Sequence, residues 1–485
     1  MNTVLIVEII YFLVVIGVCL RVIYDTQSVN KSISYLLVVI FLPVIGILIY
    51  FTFGINYRNR KMYSKKLIDN ERLERKYKEQ IISDSRKIIQ SAAAKMDGHK
   101  ALAKLLLHED YSPLTRHNHA EILVNGEEKF PKVKEELLKA RHHIHMEYYI
   151  YEPDTIGLEI ADILMEKARQ GVKVRLIYDD FGSRGIRRNL VHQLRQAGVE
   201  VHPFYKIRII ALANKINYRN HRKIIVIDGK TAFVGGINIA NHYINDPAYP
   251  TPVYWRDIHL YIYGPVVRSL QFLFMSDWNF CAKDDLQPSA AYFPKFENHI
   301  SKSDLFMQIA ASGPDSDSPI ILYSILQAIM HAKHEKLITT PYFIPGESLK
   351  DLLLVAAKGG ITIHLMVPEI SDSRFVNFVS QSYYLELLKA GVKIHRYKKG
   401  LVHSKTMVID GEIAIIGTAN MDIRSFDLNF EVNALIYNKE KAKELRKIFF
   451  QDTSDSRLLK LEEWQNRSKW LQMAEKLARL MSPLL

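Results

Sequence analysis

His221-Arg-Lys-Ile-Ile-Val-Ile-Asp228-Gly-Lys-Thr-Ala-Phe-Val-Gly235-Gly236-Ile-Asn238 decides how this chain is built, because it returns as His403-Ser-Lys-Thr-Met-Val-Ile-Asp410-Gly-Glu-Ile-Ala-Ile-Ile-Gly417-Thr418-Ala-Asn420. Each copy reads as a β-hairpin: a strand from the histidine, a turn at Asp-Gly, and a returning strand that ends among small residues. Two flanking stretches repeat in the same order. Ala168-Arg-Gln-Gly-Val-Lys-Val-Arg-Leu-Ile177 matches Ala357-Lys-Gly-Gly-Ile-Thr-Ile-His-Leu-Met366, each a helix end, a glycine cap and a buried strand. Leu194-Arg-Gln-Ala-Gly-Val-Glu-Val-His202 matches Leu387-Leu-Lys-Ala-Gly-Val-Lys-Ile-His395. Three matches in one order mean a duplicated α/β body. The first copy carries about eleven extra residues, expected around Lys206 to Lys215.

Side chains at i and i+2 share one face of a strand, so His221 projects with Lys223 and His403 with Lys405. An Asp seven residues beyond the histidine lies about 23 Å away along an extended strand. Asp228 and Asp410 are therefore read as structural members of the motif, fixing the turn or a basic neighbour. Gly235-Gly236 and Gly417-Thr418 let backbone approach a bulky anion, and Asn238 and Asn420 follow where they can donate amide hydrogens. One His, one Lys and one Asn make half a phosphate site. Two facing copies would set two imidazoles on opposite sides of one phosphorus, the arrangement in-line displacement needs.

Outward from the repeat, 485 residues with 48% hydrophobic content predict two domains or one duplicated domain. The net charge of +13 points to a polyanionic partner, nucleic acid or an anionic membrane. The N-terminus chooses the membrane: Thr3 to Leu20 and Ile33 to Phe53 are apolar runs long enough to span a bilayer, and together they predict a transmembrane hairpin over residues 1–57. Arg58, Arg60, Lys61, Lys65 and Lys66 crowd the exit of the second run, whereas the turn holds Arg21 and Lys31 against Asp25. That bias predicts a multi-pass cell-membrane protein with a cytoplasmic body and the turn outside. Residues 58–118 read as an amphipathic helical connector that could lie on lipid or simply be solvated. The first half is expected over 119–300 and the second over 301–485. A C-terminal helix carries Trp470, Leu471, Ala474, Leu477, Ala478 and Met481 at helical spacing; packing on the body is the expected fate of that face, with lying on the bilayer as the alternative. Two cysteines, Cys19 and Cys281, exclude a disulfide framework and a cysteine zinc cluster, and His142, His143 and His145 lack the carboxylates to complete a metal site.

The doubled His-x-Lys-x4-Asp, with its glycine-rich turn and Asn, resembles the phospholipase D superfamily from roughly Glu121 onward. With the two apolar runs, with His143-Ile-His-Met-Glu-Tyr-Tyr-Ile150 and with Ser425-Phe-Asp-Leu-Asn-Phe-Glu431, the chain is similar to that superfamily's bacterial cardiolipin synthases. The resemblance implies two duplicated phospholipase D-type α/β sandwich halves behind the hairpin, and a catalytic set of His221, Lys223, Asp228, His403, Lys405 and Asp410. It also implies an acid after each block that orients a histidine: Glu431 for His403, and Asp257 for His221. A carboxylate on one ring nitrogen fixes the tautomer and raises the basicity of the other. By the same likeness His221 is the nucleophile on phosphatidylglycerol and His403 the acid and base, through a phosphohistidine, with no cofactor and no metal. Water as acceptor would make the same site a phospholipase D hydrolase or a nuclease, and a scaffold that kept the fold is the third class. Complete motifs in both copies oppose the scaffold, and the absence of base-stacking platforms together with the membrane runs opposes nucleic acid. Oligomeric state is not written in the sequence.

Overall fold

The computed structural model describes residues 3–26, 29–51, 71–91, 96, 98–109, 112–204, 218–249, 251–282, 285–296, 304–316, 318–480 and 482. The basic cluster from Arg58 to Lys66 and the extra loop expected at Lys206 to Lys215 lie outside these residues.

The duplication is explicit in the strands. The first half contributes β1 (Thr115–Val124), β2 (His143–Tyr148), β3 (Lys173–Asp179), β4 (Glu200–Phe204), β5 (Lys223–Ile227), β6 (Thr231–Gly235), β7 (Tyr254–Arg256) and β8 (Ile258–Tyr263). The second contributes β9 (Leu305–Ser312), β10 (Glu335–Thr339), β11 (Phe343–Ile344), β12 (Thr362–Pro368), β13 (Lys393–Tyr397), β14 (Gly400–Val402), β15 (Thr406–Ile409), β16 (Ile413–Gly417), β17 (Met421–Asp422), β18 (Glu431–Tyr437) and β19 (Ser456–Leu458). Strand order from the outer edge inward is β4-β3-β2-β5-β6-β8-β1 in one half and β13-β12-β10-β15-β16-β18-β9 in the other, with β19 on the second edge. In each half three strands run parallel and the motif hairpin joins them antiparallel. β1 pairs with β8 along most of its length and with β9 at its start, across a register shift, so the strands of the two halves join into one 15-stranded sheet.

The strands read as unbroken apolar runs because both faces are covered. Ile224, Val226, Ala232 and Val234 face Val408, Ala414, Ile416 and Val432 in a central core between the halves, while the alternate residues Ile225, Ile227 and Phe233 pack outward under helices. The connector does not stand apart. Its helix Lys100–Glu109 buries Leu102, Ala103, Leu106 and Leu107 in the outer core of the second half.

Both Asp-Gly turns form as expected. Asp228 and Asp410 take φ of 52° and 51°, followed by Gly229 and Gly411 at 63° and 62°, the two left-handed residues of a type I′ hairpin turn. The Asp carboxylates do more than shape the turn, and their partners are backbone, not a basic side chain. Asp228 accepts N–H bonds from Arg141, His142 and His143 at 2.8–2.9 Å. Asp410 accepts from Lys333, His334 and Glu335 at 2.6–2.8 Å. Each pins its hairpin to the start of the neighbouring strand. Asp228→Asn and Asp410→Asn each weaken three charge-assisted bonds, so an unfolding stability lower by about 2–4 kcal/mol is expected in denaturant titration. Unchanged stability with chemistry abolished would instead put the carboxylate at the phosphate.

The N-terminus departs from the hairpin expectation. α1 (Thr3–Asp25) is one apolar helix, about 34 Å long at 1.5 Å per residue. The second apolar run does not form a second one: it breaks into α2 (Val29–Phe41) and α3 (Pro43–Ile49). Pro43 cannot continue α2 and starts α3 instead. Gly46 lets α3 fold back against α2, since a Cβ there would lie 2.5 Å from the Val38 carbonyl oxygen and the Val39 Cα. Among the described residues one helix is long and apolar enough to cross a membrane. The turn also lies against the body, not across a bilayer from it: the Lys31 ammonium is 2.7 Å from the Asp427 carboxylate.

Candidate active site

His221 and His403 sit just before β5 and β15, in segments that pair with the opposite half. β14, leading into His403, runs parallel to β7, and Asn220 bridges to Phe430 in the same way. The His403 N–H donates to the Arg256 carbonyl at 2.7 Å, and the His221 N–H to the Phe430 carbonyl at 3.0 Å. Arg256 and Phe430 each precede an acid, so each histidine is brought beside the acid of the other half. His221 Nδ1 faces the Glu431 carboxylate at 2.9–3.0 Å, and His403 Nδ1 faces Asp257 at 2.7 Å. This corrects the assignment by sequence order, which gave Asp257 to His221 and Glu431 to His403. Nearness along the chain favours the partner in the same repeat; strand exchange across the interface overrides it.

Both acids are fully buried and individually braced. Glu431 accepts from the Thr418 hydroxyl at 2.5 Å and the Asn429 amide at 3.1 Å. The first half uses a different device. Gly236 stands where Thr418 stands in the second, and a Cβ there would lie 2.1 Å from Asp257 Oδ1, so absence of a side chain makes room for the acid. With Nδ1 engaged in both rings, Nε2 is the nitrogen each leaves for chemistry.

Lys223 and Lys405 are buried beside the rings as the i, i+2 spacing predicts. Lys223 donates to the His221 carbonyl at 2.7 Å, and Lys405 Nζ is 2.8 Å from His403 Nδ1 and 3.2 Å from its Nε2. Burial lowers Lys223 to about 7 and Lys405 to about 8, with the neighbouring lysine adding to the fall at Lys223 and Asp257 and Glu431 opposing it at Lys405. Burial and then Lys405 bring His403 to about 4, against its bond to Asp257. Burial, with Lys223 and Lys405, lowers His221 well below the usual imidazole range. Burial likewise lifts Glu431 to about 7, against the pull of Lys223. Burial thus disfavours the charged forms of both lysines and both imidazoles, and a bound phosphate would favour all four at once.

Asn238 and Asn420 are not equivalent. Asn238 accepts from the Ile150 N–H at 3.2 Å and donates to the Tyr243 hydroxyl at 2.7 Å, bracing the loop. Asn420 is buried with its Oδ1 unpartnered among the described residues. Residues that sequence reasoning did not assign complete the walls. The Tyr149 ring lies 4.9 Å from that of His221, and Trp255 and Tyr243 lie 5.4 and 6.1 Å from His403. Arg222 pairs with Asp277 and reaches the Glu431 carbonyl, while Asn220 binds the buried Glu147. Tyr149 and Glu147 lie in the His143–Ile150 stretch, whose likeness was legible without a role. His143 and His145 are tied to Gln271 at 3.0 and 2.8 Å, and no metal-binding cluster occurs among the described residues.

Two imidazoles, each braced by an acid, with two lysines between duplicated halves, define a phospholipase D-type phosphoryl-transfer site. Residues 133–247 and 325–453 match the family model described as cardiolipin synthase, PLD-like domain, and residues 9–54 match the phospholipase D-nuclease N-terminal model. The chain belongs to the cardiolipin synthase family. It is 40% identical over 463 residues to the cardiolipin synthase of Halalkalibacterium halodurans, covering 95% of this chain and 90% of that one. It is 37% identical over 477 residues to the major cardiolipin synthase of Bacillus subtilis, covering 98% of each. A crystal structure of phosphatidylserine synthase from Haemophilus influenzae shares the fold, with a TM-score of 0.60 at 15% identity, covering 79% of this chain and all of that one.

Proposed function

We propose that this protein joins two phosphatidylglycerol molecules into cardiolipin and glycerol through a phosphatidyl-histidine. The observation that supports the mechanism is the exchanged pair of His-acid contacts, which occupy Nδ1 of both rings and leave Nε2 of each to act on phosphorus. Neutral His221 attacks the phosphorus of the first lipid, and His403 as imidazolium protonates the departing glycerol oxygen. The bound phosphodiester supplies the negative charge that lets a histidine of such low proton affinity carry that proton. His403, now neutral, takes the proton of a headgroup hydroxyl on the second phosphatidylglycerol. That oxygen displaces His221 from phosphorus, and one phosphodiester has replaced another, so no nucleotide is consumed. Lys223, Lys405 and the free amide capacity of Asn238 and Asn420 meet the phosphate charge.

The same reading places the protein in the cell membrane with α1 as the crossing element and the catalytic body on the cytoplasmic face. Arg21 lies near the C-terminal end of α1, Lys31 and the cluster from Arg58 to Lys66 follow it, and that bias orients the chain with its N-terminus outside.

Membranes holding the protein, given labelled phosphatidylglycerol, should yield cardiolipin and an equal amount of glycerol. Phosphatidic acid as the main product would make water the acceptor and the protein a hydrolase. Activity of the purified enzyme should survive EDTA, because the lysines and histidines suffice for charge and proton transfer; loss restored by magnesium or calcium would overturn that mechanism.

A further inference from the structure

The C-terminal helix, Lys469–Arg479, is packed inside out. Its large apolar residues point away from the protein: Trp470 is 85% exposed, Met473 54%, Leu477 58%, and Leu480 just beyond the helix 67%. Positions i, i+3, i+7 and i+10 fall on one helical face, so these four form a single stripe. The inward face is charged. Glu475, 2% exposed, meets the Arg467 guanidinium through two bonds of 2.6 and 2.9 Å. Arg479 pairs with Glu386 at 2.7 Å and lies 4.2 Å over the Tyr383 ring. The helix is therefore latched to the body by ion pairs, chiefly on the helix Arg374–Lys389, with Ala478 as its small apolar contact. Of the face read from the helical spacing, Ala478 packs on the body while Trp470, Leu471 and Leu477 are exposed, and Met481 lies outside the described residues.

We propose that this stripe lies in the interfacial layer of an anionic lipid bilayer, with the helix axis in the membrane plane. A tryptophan on the apolar face, with Lys469 and Lys476 exposed on the same helix, is the composition of an interfacial helix: the ring sits at headgroup level and the lysines reach anionic phosphates. A net charge of +13 favours that surface over an acid-poor protein partner. The helix beneath also links the stripe to the active site. Its start follows Asp372, whose carboxylate takes the Tyr342 hydroxyl and acts on Lys405, and Ile370 and Phe375 are exposed there. Seating the stripe in the interface would hold this side of the site against the layer that contains its lipid. The inference rests on the membrane anchoring assigned to α1, which supplies the bilayer.

The full-length protein, reconstituted in vesicles of phosphatidylcholine and phosphatidylglycerol with brominated acyl chains, tests it. Vesicle flotation reads the α1 anchor, and tryptophan fluorescence, as the difference between wild type and Trp470→Phe, reads the helix. The Trp470 component should fall by about half with brominated relative to plain lipid and should resist acrylamide. A protein that floats while Trp470 ignores bromine and is quenched by acrylamide would overturn the proposal with the anchor intact. So would shielding of Trp470 that depends on protein density and accompanies cross-linking between copies through Met473→Cys, since a second copy would then cover the stripe. A protein that fails to float refutes the anchor, and the proposal with it.

Discussion

Replacing His221 or His403 with alanine is expected to lower cardiolipin formation by roughly three orders of magnitude or more, in each case leaving a folded protein. In the proposed mechanism the two rings act as a unit, so losing either would stop the cycle and the effects would not add. His403 occupies a site lined by Asp257, Trp255 and Lys405, and His221 one lined by Glu431, Tyr149 and Lys223. Turnover per folded molecule, normalised by a denaturation curve, checks this. A variant keeping more than a few per cent of activity would remove that histidine from the mechanism. The variants also separate the roles. With an activated phosphatidyl donor whose leaving group needs no proton, His403→Asn should still accumulate a phosphatidyl group on His221. Label on His403 in the reciprocal variant would reverse the assignment.

The acid variants carry the second large effect, and they test the exchange between halves. Glu431→Gln and Asp257→Asn should each cost about 10²–10⁴ in turnover, the range for an acid that holds a catalytic imidazole in its working tautomer. Their half-reactions should differ. Asp257 serves His403, so Asp257→Asn should recover a burst of leaving group from the activated donor. Glu431 serves His221, so Glu431→Gln should not. The opposite pattern would restore the pairing by sequence order and contradict the contacts at 2.7 and 2.9 Å.

The sequence made the hairpins legible because their chemistry is local. Asp228-Gly229 and Asp410-Gly411 specify a type I′ turn, and the i, i+2 spacing sets His and Lys together whatever surrounds them. Duplication was legible for the same reason, as three blocks in order. The acids were legible as residues but not as partners. Asp257 and Glu431 reach their histidines through β7 beside β14 and through the Asn220–Phe430 bridge, contacts across the halves that no spacing within one repeat encodes. Hydropathy measured the second apolar run and could not weigh Pro43 and Gly46, which divide it and fold it back. Helical spacing found the stripe of the C-terminal helix but not its direction. Buried Glu475 and Arg479 set that direction through partners at Arg467 and Glu386.

The proposed mechanism requires a covalent double displacement at one phosphorus, first by His221 and then by the acceptor hydroxyl. Phosphatidylglycerol carrying a single configuration of a chiral phosphorothioate reports it, because each in-line displacement inverts phosphorus. Two displacements predict cardiolipin with the configuration of the transferred phosphorus retained. Inverted product would mean that the acceptor attacks the donor directly, and that neither histidine is the nucleophile.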